Sequence, residues 1–166
     1  MEMDFSRLDR NRFILGSASG TLLVLSILFM PWYTLEPNPS RVASDPDTWI
    51  CGVNDFTCTG FDTFPIARWA LLLAALSPLI LGWILVRGHK LSWAPGELTM
   101  VAGFAAMVLI AYNGIIDRPG TGTAEIGVSL DWGYWVGLVA SIGIAATGFL
   151  RSQAGAKRER KAPGTV

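Results

Sequence analysis

Four long apolar runs alternate with polar segments along the chain. The first, residues 13–33 (FILGSASGTLLVLSILFMPWY), has no charged side chain. Its about 21 residues would make a helix of roughly 31 Å, which matches a hydrocarbon core of about 30 Å. Arg7, Arg10 and Arg12 precede it, and Pro31, Trp32 and Tyr33 close it. That is the pattern of a helix that starts on a basic side and ends in an interfacial aromatic belt. Three more runs follow at 66–86, 98–116 and 133–150. The pattern predicts an all-α membrane protein, a four-transmembrane-helix bundle forming a single domain over residues 1–150.

The first run also has to be weighed as a secretory signal. Its apolar part is longer than the about 7–15 residues of such a signal, and no small-x-small cleavage site follows it. It therefore reads as an uncleaved anchor.

The polar stretches 34–65 and 117–132 become external loops. In the first, Thr48–Val53 and Phe56–Phe61 have strand character with Asn54-Asp55 between them as a turn. In the second, Thr123–Leu130 (TAEIGVSL) supplies a further strand, so a small extracytoplasmic β-hairpin or sheet cap is expected. Residues 87–97 form a short basic linker, and 151–166 form a basic cytoplasmic tail too polar to fold alone.

Small residues recur at helical spacing inside the spans. Gly16 and Gly20 form a GxxxG step; Ala70, Ala74, Pro78 and Gly82 form a second stripe, and Gly133, Gly137, Ser141 and Ala145 a third. Such faces let helices approach closely. Packing within one chain is favoured over dimerisation for the GxxxG step, because glycine is common in membrane helices anyway. Pro78 should kink its helix, with Ser77 at hand for a freed backbone group.

Composition sharpens the picture. Hydrophobic residues make up 51% and charged residues 16%, against about 25% charged in soluble proteins. The net charge of zero hides a segregation. Ten of the thirteen basic residues fall in the terminal segments and the central linker, with five acids. The two loops, with Arg68 at the outer end of the second run, hold three basic residues and eight acids. The positive-inside rule then places both termini in the cytoplasm and the loops outside the plasma membrane. Most tryptophans and tyrosines fall near span ends, as a belt requires; Trp49 lies within the first loop.

Chemistry-bearing residues are few. Cys51 and Cys58 would face an oxidising compartment, where a disulfide is the default. Closing so short a loop is worth roughly 2.5 kcal/mol in the chain-entropy model. The alternative is a redox pair. Four spans with external cysteines resemble the bacterial quinone-linked disulfide oxidases, but that relay needs a Cys-x-x-Cys and a second pair, and both are missing. His89 is the sole histidine, which argues against haem or zinc ligation. No metal site, cofactor, catalytic residue or nucleic-acid partner is expected.

Mid-span positions carry no ionisable residue, which disfavours a proton relay through the monomer. Arg68, within a turn of a span end, either snorkels to headgroups or pairs with Asp62. Asn113 is the strongly polar residue of the third span. The external acids Asp55, Asp62, Asp117, Glu125 and Asp131 follow no calcium-loop spacing. Lys157, Arg158, Arg160 and Lys161 of the tail suit anionic lipids.

Four short motifs suggest a relationship. Phe29-Met30-Pro31-Trp32-Tyr33 ends the first span and Gly60-Phe61-Asp62-Thr63-Phe64 leads into the second. Asp117-Arg118-Pro119-Gly120 ends the third, and Gly133-Tyr134-Trp135-Val136-Gly137-Leu138 opens the fourth. In these the chain resembles the uncharacterised four-span integral membrane proteins of actinobacteria. That resemblance implies the topology and transfers no site. A looser likeness is to claudin-like tetraspan architecture, although Thr48-Trp49-Ile50 stands where that family has Gly-Leu-Trp.

The functional expectation is a non-enzymatic scaffold or accessory subunit of an envelope complex, with lipid and other membrane subunits or further copies of itself as partners. A small transport or channel oligomer is the alternative, and a thiol–disulfide redox protein comes third.

Overall fold

The computed structural model describes residues 10–36, 57–87, 94–117 and 127–159. Four helices in it are long and apolar enough to cross a membrane, spanning Arg10–Phe29, Ala67–Val86, Gly96–Ile116 and Trp132–Ala154. The chain is a multi-pass membrane protein, a helical bundle with a small three-stranded sheet at one end.

Helix α1 covers Arg10–Phe29 and strand β1 covers Pro31–Glu36. Strand β2 is Thr57–Thr59, followed by the single-turn helix α2, Gly60–Thr63, and by α3, Ala67–Val86. Helix α4 runs from Pro95 to Ala111 and ends in a π-helical turn, Tyr112–Ile116. Strand β3 is Gly127–Leu130, and α5 is Trp132–Glu159. Each long helix packs on two neighbours in the cyclic order α1, α3, α4, α5, with the α3–α4 contact the sparsest of the four.

The first correction concerns the end of the first span. Residues 30–33 were expected to finish a helix and sit in an interfacial belt. Instead α1 stops at Phe29, because Pro31 cannot donate to Ile27 O and biases Met30 away from helical geometry. The chain turns into β1, and Trp32 and Tyr33 are fully buried. Tyr134, another expected belt residue, is only 1% exposed. Trp69, Trp83, Trp132 and Trp135 do lie on the exterior.

The second correction concerns the sheet. Strand β1 is its centre, with order β2-β1-β3 and both pairings antiparallel. Tyr33 lies opposite Cys58 on one side and Leu130 on the other. The described part of the expected second strand, 57–59, therefore pairs with the segment after α1. The expected first strand, 48–53, lies outside the described residues. The 123–130 segment contributes its last four residues as β3.

Small residues set the helix contacts. A Cβ on Gly16 would press on Thr147 and Pro78, and one on Gly20 would collide with the Ala75 carbonyl. The GxxxG step therefore admits the Pro78 region of α3 within the same chain. Helices α4 and α5 meet through Gly103 against Ala145, and Gly148 against Met100. Helix α5 also runs nine residues past the expected boundary at 150. Extending an existing helix fixes one residue per hydrogen bond gained, so a polar segment that could not nucleate alone can continue one.

Candidate functional site

The most constructed part of the molecule is the sheet end, where β1 lies across the ends of three helices. Trp32 is its pivot. Its indole N–H donates to Ser26 O at 2.9 Å, a carbonyl near the end of α1, and lies 3.0 Å from Ser26 Oγ. Ser26 Oγ–H in turn donates to Gly133 O at 2.6 Å, which ties α1 to the start of α5. Phe64 and Tyr134 meet the Trp32 ring edge-on at 6.2 and 6.0 Å between centroids. Glycine makes the space: a Cβ on Gly60 or on Gly137 would come within 2.8 Å of the indole.

Tyr33 reaches the other way. Its ring meets Phe64 at 5.9 Å, and its hydroxyl donates to Asn113 O at 3.2 Å in the π-helical turn. The Asn113 amide is itself engaged, donating to Leu109 O at 2.8 Å. Gly114 of the same turn lies under the Tyr134 ring, where a Cβ would collide.

Asp131 and Asp62 are tied into the frame of this end. Asp131 accepts from Thr34 Oγ1 at 2.7 Å with one oxygen and from the Trp132 N–H at 2.6 Å with the other. It thus caps α5 and grips β1 together. Asp62 accepts from Thr59 Oγ1 at 2.6 Å, while its own N–H donates back to that hydroxyl at 3.3 Å. Thr59 thereby N-caps α2.

Arg68 does not pair with Asp62, the partner considered for it. Its guanidinium lies 4.5 Å from the centroid of Phe61 and 5.5 Å from that of Trp69, and its Nη1 donates to Phe61 O at 3.3 Å. Its Nε is buried without a hydrogen-bond partner. Asp62 is spoken for by Thr59, which leaves the aromatic faces as the seat for the cation.

At the opposite end the basic residues serve as clamps. Arg12 donates to Leu150 O at 2.8 Å, fastening α1 to α5, and Arg87 stacks 4.6 Å from the Trp83 centroid.

The remaining candidates separate in space. Gly16, Gly20, Ala74 and Gly82 are buried between helices, Gly82 against the Phe13 ring. Gly133 packs on Met30 and Pro31, and Gly137 on Trp32 and on Ser26 of α1. Ser141 is buried and donates to Leu138 O. Ala70 is exposed and lines an open groove between α3 and α4 with Leu73, Ser77, Ala102, Ala105 and Leu109. The groove measures about 370 Å³, and no sequence pattern announced it.

Cys58 is 1% exposed on β2, and no free cysteine occurs among the described residues. Cys51, His89, Arg160 and Lys161 lie outside the described residues, as do Asp55, Arg118 and Glu125. Lys157 and Arg158 fall within α5. No group of three His, Cys, Asp or Glu side chains able to hold a metal occurs among the described residues.

No known relative identifies the chain. No protein family model matches it, and no curated protein or solved structure is significantly similar.

Proposed function

We propose that the chain is a structural, non-catalytic component of the plasma membrane, a scaffold or accessory subunit of a larger envelope complex. One observation carries this reading. The polar groups gathered at the sheet end are engaged within the frame: Ser26 joins α1 to α5, Asp131 joins β1 to the start of α5, Asp62 holds Thr59 of β2, and Asn113 bonds back to Leu109. Side chains spent in this way rigidify a platform, and a platform is what an assembly factor presents to its partners.

The charge segregation supports placing the sheet outside the cell and both termini in the cytoplasm. It also supports setting the basic end of α5 and the residues after it on anionic lipid. A Cys51–Cys58 bridge belongs to the same reading. Its support is the oxidising compartment and the deep burial of Cys58 beside Tyr33. The resemblance of four short motifs to those of actinobacterial four-span proteins agrees with that setting.

The deciding experiment is isolation of the full chain from its native membrane in mild detergent. Other membrane subunits, or further copies of the chain, should co-purify in fixed ratio. A strictly solitary monomer would overturn the proposal. Tags at either terminus should remain shielded in intact cells. Thiol labelling without reductant should leave both cysteines unmodified.

A further inference from the structure

We infer that Arg68 seats the phosphate of one phospholipid in the leaflet on the sheet side, with a tail of that lipid along Leu72, Leu76 and Leu79 below it. Such a seat requires only that the chain spans a bilayer, and it does not depend on the scaffold reading.

Depth comes first. Arg68 is the second residue of α3, a helix of 20 residues. That length makes about 30 Å, the thickness of a hydrocarbon core. Arg68 therefore stands where the core gives way to the layer of phosphates. Ile66 and Trp69 of the same turn are 84% and 60% exposed, so this turn meets the bilayer directly. A cation at such a depth needs an anion or a cluster of carbonyls as its partner.

The chain itself supplies little. Among the described residues Arg68 makes no ion pair. Asp62, the nearest carboxylate along the chain, is held by Thr59, and no acidic residue stands in the first turn of α3. The guanidinium is engaged only in part. Nη1 donates to Phe61 O at 3.3 Å, and Nε is buried without a partner. Nη2, which carries two N–H donors, makes no hydrogen bond and is not enclosed. The Phe61 and Trp69 rings flank the guanidinium carbon at 4.5 and 5.5 Å. They hold the fork in place before a ligand arrives, which removes part of the entropy cost of binding. A planar, weakly hydrated fork of this kind suits phosphate oxygens.

The surface below decides between a free phosphate and an esterified one. Leu72, Leu76 and Leu79 follow Arg68 by 4, 8 and 11 positions, which sets all four on one face of α3. Leu76 and Leu79 are exposed. From Arg68 to Leu79 the helix descends about 16 Å, and one leaflet of the core is about 15 Å deep. A phosphate that carries a tail covers the cation and the leucines together. A free phosphate would lose water to Trp69 and Ile66 and gain only one cation in return.

The test is native mass spectrometry of the full, delipidated chain titrated with dioleoylphosphatidylglycerol. Dioleoylglycerol, with the same tails and no phosphate, and inorganic phosphate, with no tails, serve as comparisons. The unaltered chain should retain phosphatidylglycerol at least about tenfold more tightly than dioleoylglycerol, and inorganic phosphate should not displace it. Arg68→Gln should weaken the tightest phosphatidylglycerol by about tenfold or more, with Arg68→Lys falling between. Every other basic residue is the same in these chains, so the difference isolates Arg68. A second pair of variants keeps the arginine and its packing. Pro65 is exposed three residues before Arg68, so Pro65→Glu offers the guanidinium a carboxylate of its own and should weaken retention about threefold, whereas Pro65→Gln should not. Equal retention of the two dioleoyl lipids by the unaltered chain would overturn the inference. So would retention that is unchanged in both Arg68→Gln and Pro65→Glu, or displacement of the lipid by inorganic phosphate, which would mark a site for a free anion.

Discussion

The sheet end and the α3–α4 face are built from similar apolar material and come out as opposites. At the sheet end, large aromatics meet edge-on across glycines, and Trp32 and Tyr33 are each backed by a hydrogen bond to a helix. On the α3–α4 face, alanines oppose alanines and leave a trough open to the bilayer. The difference lies in what each region has to do. Backbone outside helices must find partners when it packs near a membrane, so the three strands demand a filled, fully bonded seat. Helices satisfy their own backbone, so two of them can stand apart at little cost.

This contrast makes graded predictions for stability, measured by denaturant titration in detergent micelles. Trp32→Ala should be the worst, at about 3–5 kcal/mol, since it removes a fully buried indole with three aromatic or helical neighbours. A loss below about 1 kcal/mol would show that the sheet end does not organise the bundle. Gly20→Leu should cost about 1–3 kcal/mol by overpacking against Ala75. Ser26→Ala should cost about 0.5–1.5 kcal/mol, because Trp32 keeps the Ser26 carbonyl while Gly133 O loses its donor. Ala105→Leu on the open face should stay within about 0.5 kcal/mol. A larger loss there would mean that the trough is a packed interface.

Much of the fold is visible in the sequence. An uncharged run of membrane length has few alternatives, and the four runs predict four helices with ends displaced by only a few residues, the C-terminal end of α5 excepted. The trade of basic for acidic residues between alternate segments is the ground for the proposed sidedness. What hides is the role of Trp32 and Tyr33. Aromatics at the end of a span suit either a lipid interface or a buried core, and the choice depends on whether a later segment folds over them. The local clue is Pro31, which forbids further helix, followed by Trp-Tyr-Thr-Leu-Glu in a strand-like run.

The candidate residues divide along the same line. Gly16, Gly20 and Gly82 stand out as small-residue positions, and their neighbours are helices or, for Gly82, a helical side chain. Gly133 and Gly137 stand out for the same reason and serve β1 instead, because helix spacing says that something comes close without saying what. The seat of Arg68 is not legible at all. Phe61 reaches it from α2, a helix of one turn that periodicity cannot detect.

The central strand leaves the ribosome directly after the first span, long before its neighbours exist. Thr34 bonds to residues 95 and 97 positions further on, and Ser26 to one 107 positions further on. During synthesis Trp32 can meet Phe64 and Gly60 early, but the side that Tyr134 and Gly137 cover stays open until the last span begins to insert. A chain halted before residue 127 would show quality-control proteases an aromatic knob and a bare strand edge, so completion of translation doubles as the latch that closes the molecule.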